Sequence, residues 1–134
     1  MTMKIVLAID PGRDKCGIAV VNTEAAVHMS VIPRKHAAAA VESLSARFSP
    51  QAIIIGNGTG SSFLADELQS RSDLPVELVD EAYSTRKARS RYFKDNPPRG
   101  LRRLIPRGLM TPPRPYDDYV ALILAEEWMT RSNE

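Results

Sequence analysis

Three apolar runs open this chain, at residues 4–9 ("KIVLAI"), 16–21 ("CGIAVV") and 25–32 ("AAVHMSVI"). The connections between them are too short to hold a helix. Strands joined in that way lie antiparallel, because a parallel pair needs a crossover of roughly a dozen residues or more. This opening excludes both an all-helical and an all-parallel fold. The first connection contains Pro11-Gly12, which is turn chemistry, and Pro33 ends the third run.

Every later strand candidate is reached through a helix. Residues 36–48 predict a helix in which Ala37, Ala40, Val41, Leu44 and Phe48 share one face, closed by Pro50. Residues 52–55 predict a short buried strand, followed by the glycine-rich loop 56–60. Ser61 or Ser62 is the expected cap of a second helix with Leu64, Ala65 and Leu68 inward. Residues 76–79 predict the last strand. Ser84 or Thr85 then opens a basic helix to about residue 93, and residues 117–129 predict a C-terminal helix. Strands reached through helices pair in parallel. The expected fold is α/β, a mixed five-stranded sheet with helices on both faces. Sites in such sheets form at the carboxyl ends of strands.

At 134 residues, with 43% hydrophobic and 25% charged side chains, the chain reads as one domain spanning 1–134. The first ten residues predict no secretory signal. No apolar run approaches the roughly 18 residues of a membrane span. The single cysteine, Cys16, excludes an internal disulfide and a cysteine-based zinc site and points to a cytoplasmic location. In its predicted strand it reads as a small core residue rather than a nucleophile. His28 and His36 are the only histidines and form no recognisable metal pair, so a metal here would be held by oxygen.

The net charge of +2 conceals a strong asymmetry. Residues 86–114 hold ten Lys/Arg against Asp95 alone, while both flanking segments are net acidic. Such a block is an electrostatic footprint for a polyanion. Within it, the segment at about 94–116 carries six of the ten prolines and predicts a basic, proline-rich loop.

Asp10 falls at the carboxyl end of the first strand and Glu81 just past the last. With Asp117 at 0° and about 100° per residue, Ala121, Leu124 and Trp128 lie near 40°, 340° and 20°. Asp117 therefore heads the inward face of the last helix, Asp118 lies on its flank and Tyr119 points outward. Each acid also has a purely structural reading: Asp10 as a turn former, Glu81 as a solvated residue, Asp117 as a favourable charge at a helix N-terminus. Three converging carboxylates would need a cation between them. Mg²⁺ or Mn²⁺ suits such ligands, and a pair of these ions can drive phosphodiester hydrolysis. The basic segment would then hold the phosphate backbone. Asn57 and Thr59 in the glycine-rich loop are further candidate phosphate contacts.

"AIDPGRDKCGIAVV", "LVDEAYST" and "YDDYVALILAEEWM", taken in order, resemble the three motifs of the YqgF/RuvX family. The resemblance implies an RNase H-like fold and a metal-dependent nuclease. In it Asp10, Glu81 and Asp117 are both catalytic and metal ligands, with Asp118 as the alternative third acid. It implies a nucleic-acid substrate, either RNA at the 5′ end of a ribosomal precursor or branched DNA. The expected state is a monomer or homodimer, with no membrane. Arg86, Arg89, Arg99, Arg102, Arg103 and Arg107 become the candidate nucleic-acid contacts. Two departures stand out. The family's Arg after the second-motif Glu is Ala82 here, with Arg86 or Arg89 as replacement. "IGNGT" also resembles the YqgF-like domain of the transcription accessory protein Tex. That makes a non-catalytic nucleic-acid-binding module with vestigial acids the alternative. The first motif is also similar to the phosphate loop of actin and sugar-kinase-like ATPases, which need two such domains.

Overall fold

The computed structural model of the chain describes residues 4–58, 60–81, 84–100, 104 and 112–132. Its strands are β1 (Ile5–Pro11), β2 (Lys15–Asn22), β3 (Ala26–Pro33), β4 (Ala52–Gly56) and β5 (Val76–Val79). Its helices are α1 (Ala37–Phe48), α2 (Ser61–Arg71), α3 (Ser84–Asp95) and α4 (Asp117–Ser132), with a 3-10 turn at Arg34–His36 before α1. The sheet order is β3-β2-β1-β4-β5, antiparallel across β1–β2 and β2–β3 and parallel across β1–β4 and β4–β5. This is the expected mixed sheet.

The central strands are buried on both faces, which is why they read as continuous apolar runs. Val6 and Ala8 of β1 and Ala52 and Ile54 of β4 face a core built with α3 and α4. Leu7, Ile9, Ile53 and Ile55 face a second core with α1 and α2. All five predicted inward residues of α1 pack there, Ala37, Val41 and Leu44 buried and Ala40 and Phe48 partly buried, and Ala38 joins them. The edge strands β3 and β5 are only partly buried.

Two local expectations are corrected. The cap of α2 is Gly60, in a left-handed conformation, and Ser61 is already helical. Tyr119 does not point outward. It is 7% exposed and packs edge-on to Tyr92, with ring centroids 5.4 Å apart. The helical wheel assumes one buried face, whereas α4 is covered by the sheet on one side and by α3 on another. Among the described residues no helix is long and apolar enough to cross a membrane.

Candidate active site

The register of the sheet brings the acids to one edge. The last β1–β4 pair is Ile9↔Ile55, so Asp10 stands level with Gly56, and Gly56 pairs with Val79 two residues before Glu81. Asp10 and Glu81 thus emerge from the carboxyl ends of β1 and β5, on either side of β4. Their side chains are hydrogen-bonded to each other. Gly56 and Gly58 make the room. A Cβ on Gly56 would run into Glu81 Oε2, and one on Gly58 would lie 3.0 Å from both Glu81 Oε1 and the Pro11 carbonyl.

The second half of the site comes from α4. Across the sheet from Asp10 is Gly17. A Cβ there would collide with the Asp117 carbonyl, so glycine is what lets the first turn of α4 rest on β2 beside Asp10. Asp117 is half-buried and lies within charge range of Asp10. Among the described residues, no three His, Cys, Asp or Glu side chains gather tightly enough to form a ready-made cage for an ion. Asp10 and Glu81 form the close pair, and Asp117 stands off from it.

Electrostatics follow from this crowding. The Asp10 carboxyl is pushed up to about 8, first by burial and then by the bond to Glu81 and the charges of Glu81 and Asp117. The shift favours one proton held between the two carboxyls at neutral pH. Asp117 is also held above the ordinary carboxylate range, by burial and the neighbouring Asp118, against the opposing pull of Lys15. Glu81 Oε2 is buried and has no hydrogen-bond partner. A buried, unpartnered carboxylate oxygen calls for an explanation, and a cation with hard oxygen ligands supplies one.

Asp118 stands apart from the cluster. It is 5% exposed, receives the Arg114 guanidinium at 3.3 Å and accepts the Tyr119 N–H at 3.0 Å. Arg114 in turn lies over the rings of Tyr92 and Tyr119. Asp118 therefore anchors the chain entering α4 and is already neutralised there, which disfavours it as the third acid.

Asn57 proves to be a support for Glu81. Its Oδ1 accepts the Glu81 N–H at 3.3 Å, and its own N–H donates to the Val79 carbonyl at 3.0 Å. Arg86 and Arg99 are exposed. Arg89 is half-buried, with a buried Nε that has no partner. Thr59, Arg102, Arg103 and Arg107 lie outside the described residues. Part of the basic block is used internally. Lys87 pairs with Glu127 at 2.7 Å and Arg91 with Glu126 at 2.8 Å, joining α3 to α4.

Sequence reasoning passed over one residue at this edge. Arg34, the first residue after β3, donates from Nη1 to the Gly12 carbonyl at 2.8 Å and from Nη2 to the Gly60 carbonyl at 2.9 Å. These two carbonyls are backbone oxygens, which leave no mark in a sequence. The only hint was a cation directly after Pro33.

A family model described as "RuvX: Holliday junction resolvase" matches residues 4–104. A protein of Burkholderia thailandensis named "Putative pre-16S rRNA nuclease" is 32% identical over 101 residues, covering 63% of this chain and 69% of the relative. Among solved structures, RuvC of T. thermophilus in complex with a Holliday junction substrate superposes with a TM-score of 0.59 at 20% identity, over 96% of both chains. A second Thermus thermophilus RuvC structure gives 0.56 at 17% identity, over 90% of both. At these identities the structural likeness speaks for the RNase H-like fold.

Proposed function

The chain belongs to the RuvX family, and from that premise we propose that it is a divalent-metal-dependent nuclease hydrolysing phosphodiester bonds in structured nucleic acid. The observation that carries the reading is the Asp10–Glu81 contact, with Glu81 Oε2 buried and unpartnered. Two touching carboxyls repel once both ionise, and a buried acceptor without a donor is costly. A cation between them removes both penalties. The donor set is carboxylate, which suits Mg²⁺ or Mn²⁺.

In this reading Asp10 and Glu81 hold the ion and Asp117 adds a carboxylate from the head of α4. A bound ion would supply positive charge to polarise the phosphodiester and lower the pKa of an attacking water. The chain's own residues orient the reaction. Asn57 fixes the Glu81 backbone, Gly56 and Gly58 leave space for its carboxylate, and the exposed Arg86 and Arg99 draw in the phosphate backbone. The relative named for pre-16S rRNA supports a ribosomal RNA precursor as the first substrate to test. The RuvC–junction complex supports a four-way DNA junction as the second.

The test uses wild type and Asp10→Asn on a labelled 5′-extended 16S precursor and on a four-way junction, with Mn²⁺ or Mg²⁺. Wild type cleaves the precursor, and Asp10→Asn loses activity by about 100-fold or more. Tight binding in EDTA with no cleavage of either substrate by wild type would instead make the chain a binding module.

A further inference from the structure

We infer that Arg34 is a positioning residue that latches together the two loops flanking the Asp10–Glu81 pair. The inference deepens the nuclease reading and rests on it. Gly12 lies two residues beyond Asp10, on the turn that ends β1. Gly60 lies two residues beyond Gly58, where an added Cβ would lie 3.0 Å from both Glu81 Oε1 and the Pro11 carbonyl. One guanidinium grips the backbone of both loops, at 2.8 Å and 2.9 Å. Its own main chain is tied to the same turn, since the Arg34 N–H donates to the Asp14 carbonyl at 2.8 Å.

Three further points favour positioning over a general stabilising role. The planar guanidinium presents parallel donors in a rigid fork, so it can bridge two carbonyls where a lysine ammonium is a single point charge. The Gly60 carbonyl already accepts the Leu64 N–H at 3.1 Å, so the second bond from Arg34 is not needed to start α2. A cation beside a helix N-terminus works against the helix dipole, so the contact does not serve the helix. The fit is also tight: a Cβ on Gly60 would lie 2.7 Å from Arg34 Nη2. What the latch does serve is the spacing between Asp10, at the strand end that leads into the first loop, and Glu81, seated against the second. Small displacements of such groups can lower a rate by about 100-fold.

The experiment compares wild type, Arg34→Ala and Arg34→Lys. Both variants should lose kcat by about 10- to 100-fold, with KM for the nucleic acid changed less than about twofold. Mn²⁺ affinity, read by electron paramagnetic resonance without substrate, should fall in both. Amide hydrogen exchange in the metal-free protein should quicken around Gly12 and Gly60 while the central strands stay protected. Recovery of activity in Arg34→Lys, or a raised KM with unchanged kcat, would make Arg34 a phosphate contact and overturn the latch. Unchanged exchange and Mn²⁺ affinity in both variants would overturn it too. If the wild type cuts no substrate, the nuclease reading fails by itself, and the exchange and Mn²⁺ measurements still judge the latch.

Discussion

Asp10 carries the sharpest residue-scale consequence. Its carboxyl moves from 3.8 in the unfolded chain to about 8 in the fold. Between those values the folded protein holds a proton that the unfolded chain has released. Its contribution to stability is therefore full below pH 3.8 and drains away as pH rises toward about 8. The metal-free protein should melt at progressively lower temperature from about pH 5 to about pH 8. Asp10→Asn should remove most of that slope, and saturating Mn²⁺ should flatten it in the wild type. A metal-free wild-type melting temperature that is level across the range would show that Asp10 and Glu81 share no proton. Asp10 and Glu81 were legible in the sequence because Asp10 closes an apolar run and Glu81 falls just past the last strand, and a sheet gathers strand ends. Asp117 and Asp118 were harder to separate. A helical wheel begins at the helix, and Arg114, which neutralises Asp118, lies just before it.

At the scale of elements, the placement of α4 depends on Gly17. The sequence pattern made α4 a helix with an apolar face, but periodicity says nothing about how closely a helix end approaches a strand. Backbone touching backbone has no hydrophobic signature, and the absence of a Cβ is its only trace. The same blindness misjudged Tyr119, because the second neighbour of α4 is α3, a helix read as basic rather than apolar. Gly17→Ala should destabilise the fold by about 1–3 kcal/mol, the usual cost of overpacking a well-filled contact. Below its melting transition the variant should also cleave more slowly than wild type, since the shift it forces moves Asp117 relative to Asp10. Denaturant melts and single-turnover rates at one temperature separate the two effects. A variant as stable and as active as wild type would mean that the first turn of α4 does not rest on β2.

Over the whole molecule, topology was the most legible property and charge the least. Short early connections and helical later ones imply a mixed sheet, and the observed order β3-β2-β1-β4-β5 is a sheet of that kind. Charge is different, because a sequence counts cations without saying which are already paired. Lys87, Arg91 and Arg114 of the basic block bind Glu127, Glu126 and Asp118 within the fold. Pairs like these contribute little to stability when exposed. They do subtract from the positive field offered to a polyanion. The block's capacity for nucleic acid then falls to its remaining arginines, among them Arg102, Arg103 and Arg107. Replacing these three with glutamine should weaken substrate binding. It should also reduce the slope of log affinity against log salt by about 2–3, since each lost phosphate contact removes about 0.7–0.9. Mn²⁺ affinity should be unchanged, because the carboxylate pair lies on other elements. Titrations of labelled RNA at several salt concentrations read both quantities. If affinity and slope both match wild type, this segment does not touch the substrate, and the phosphate contacts belong to Arg86 and Arg99.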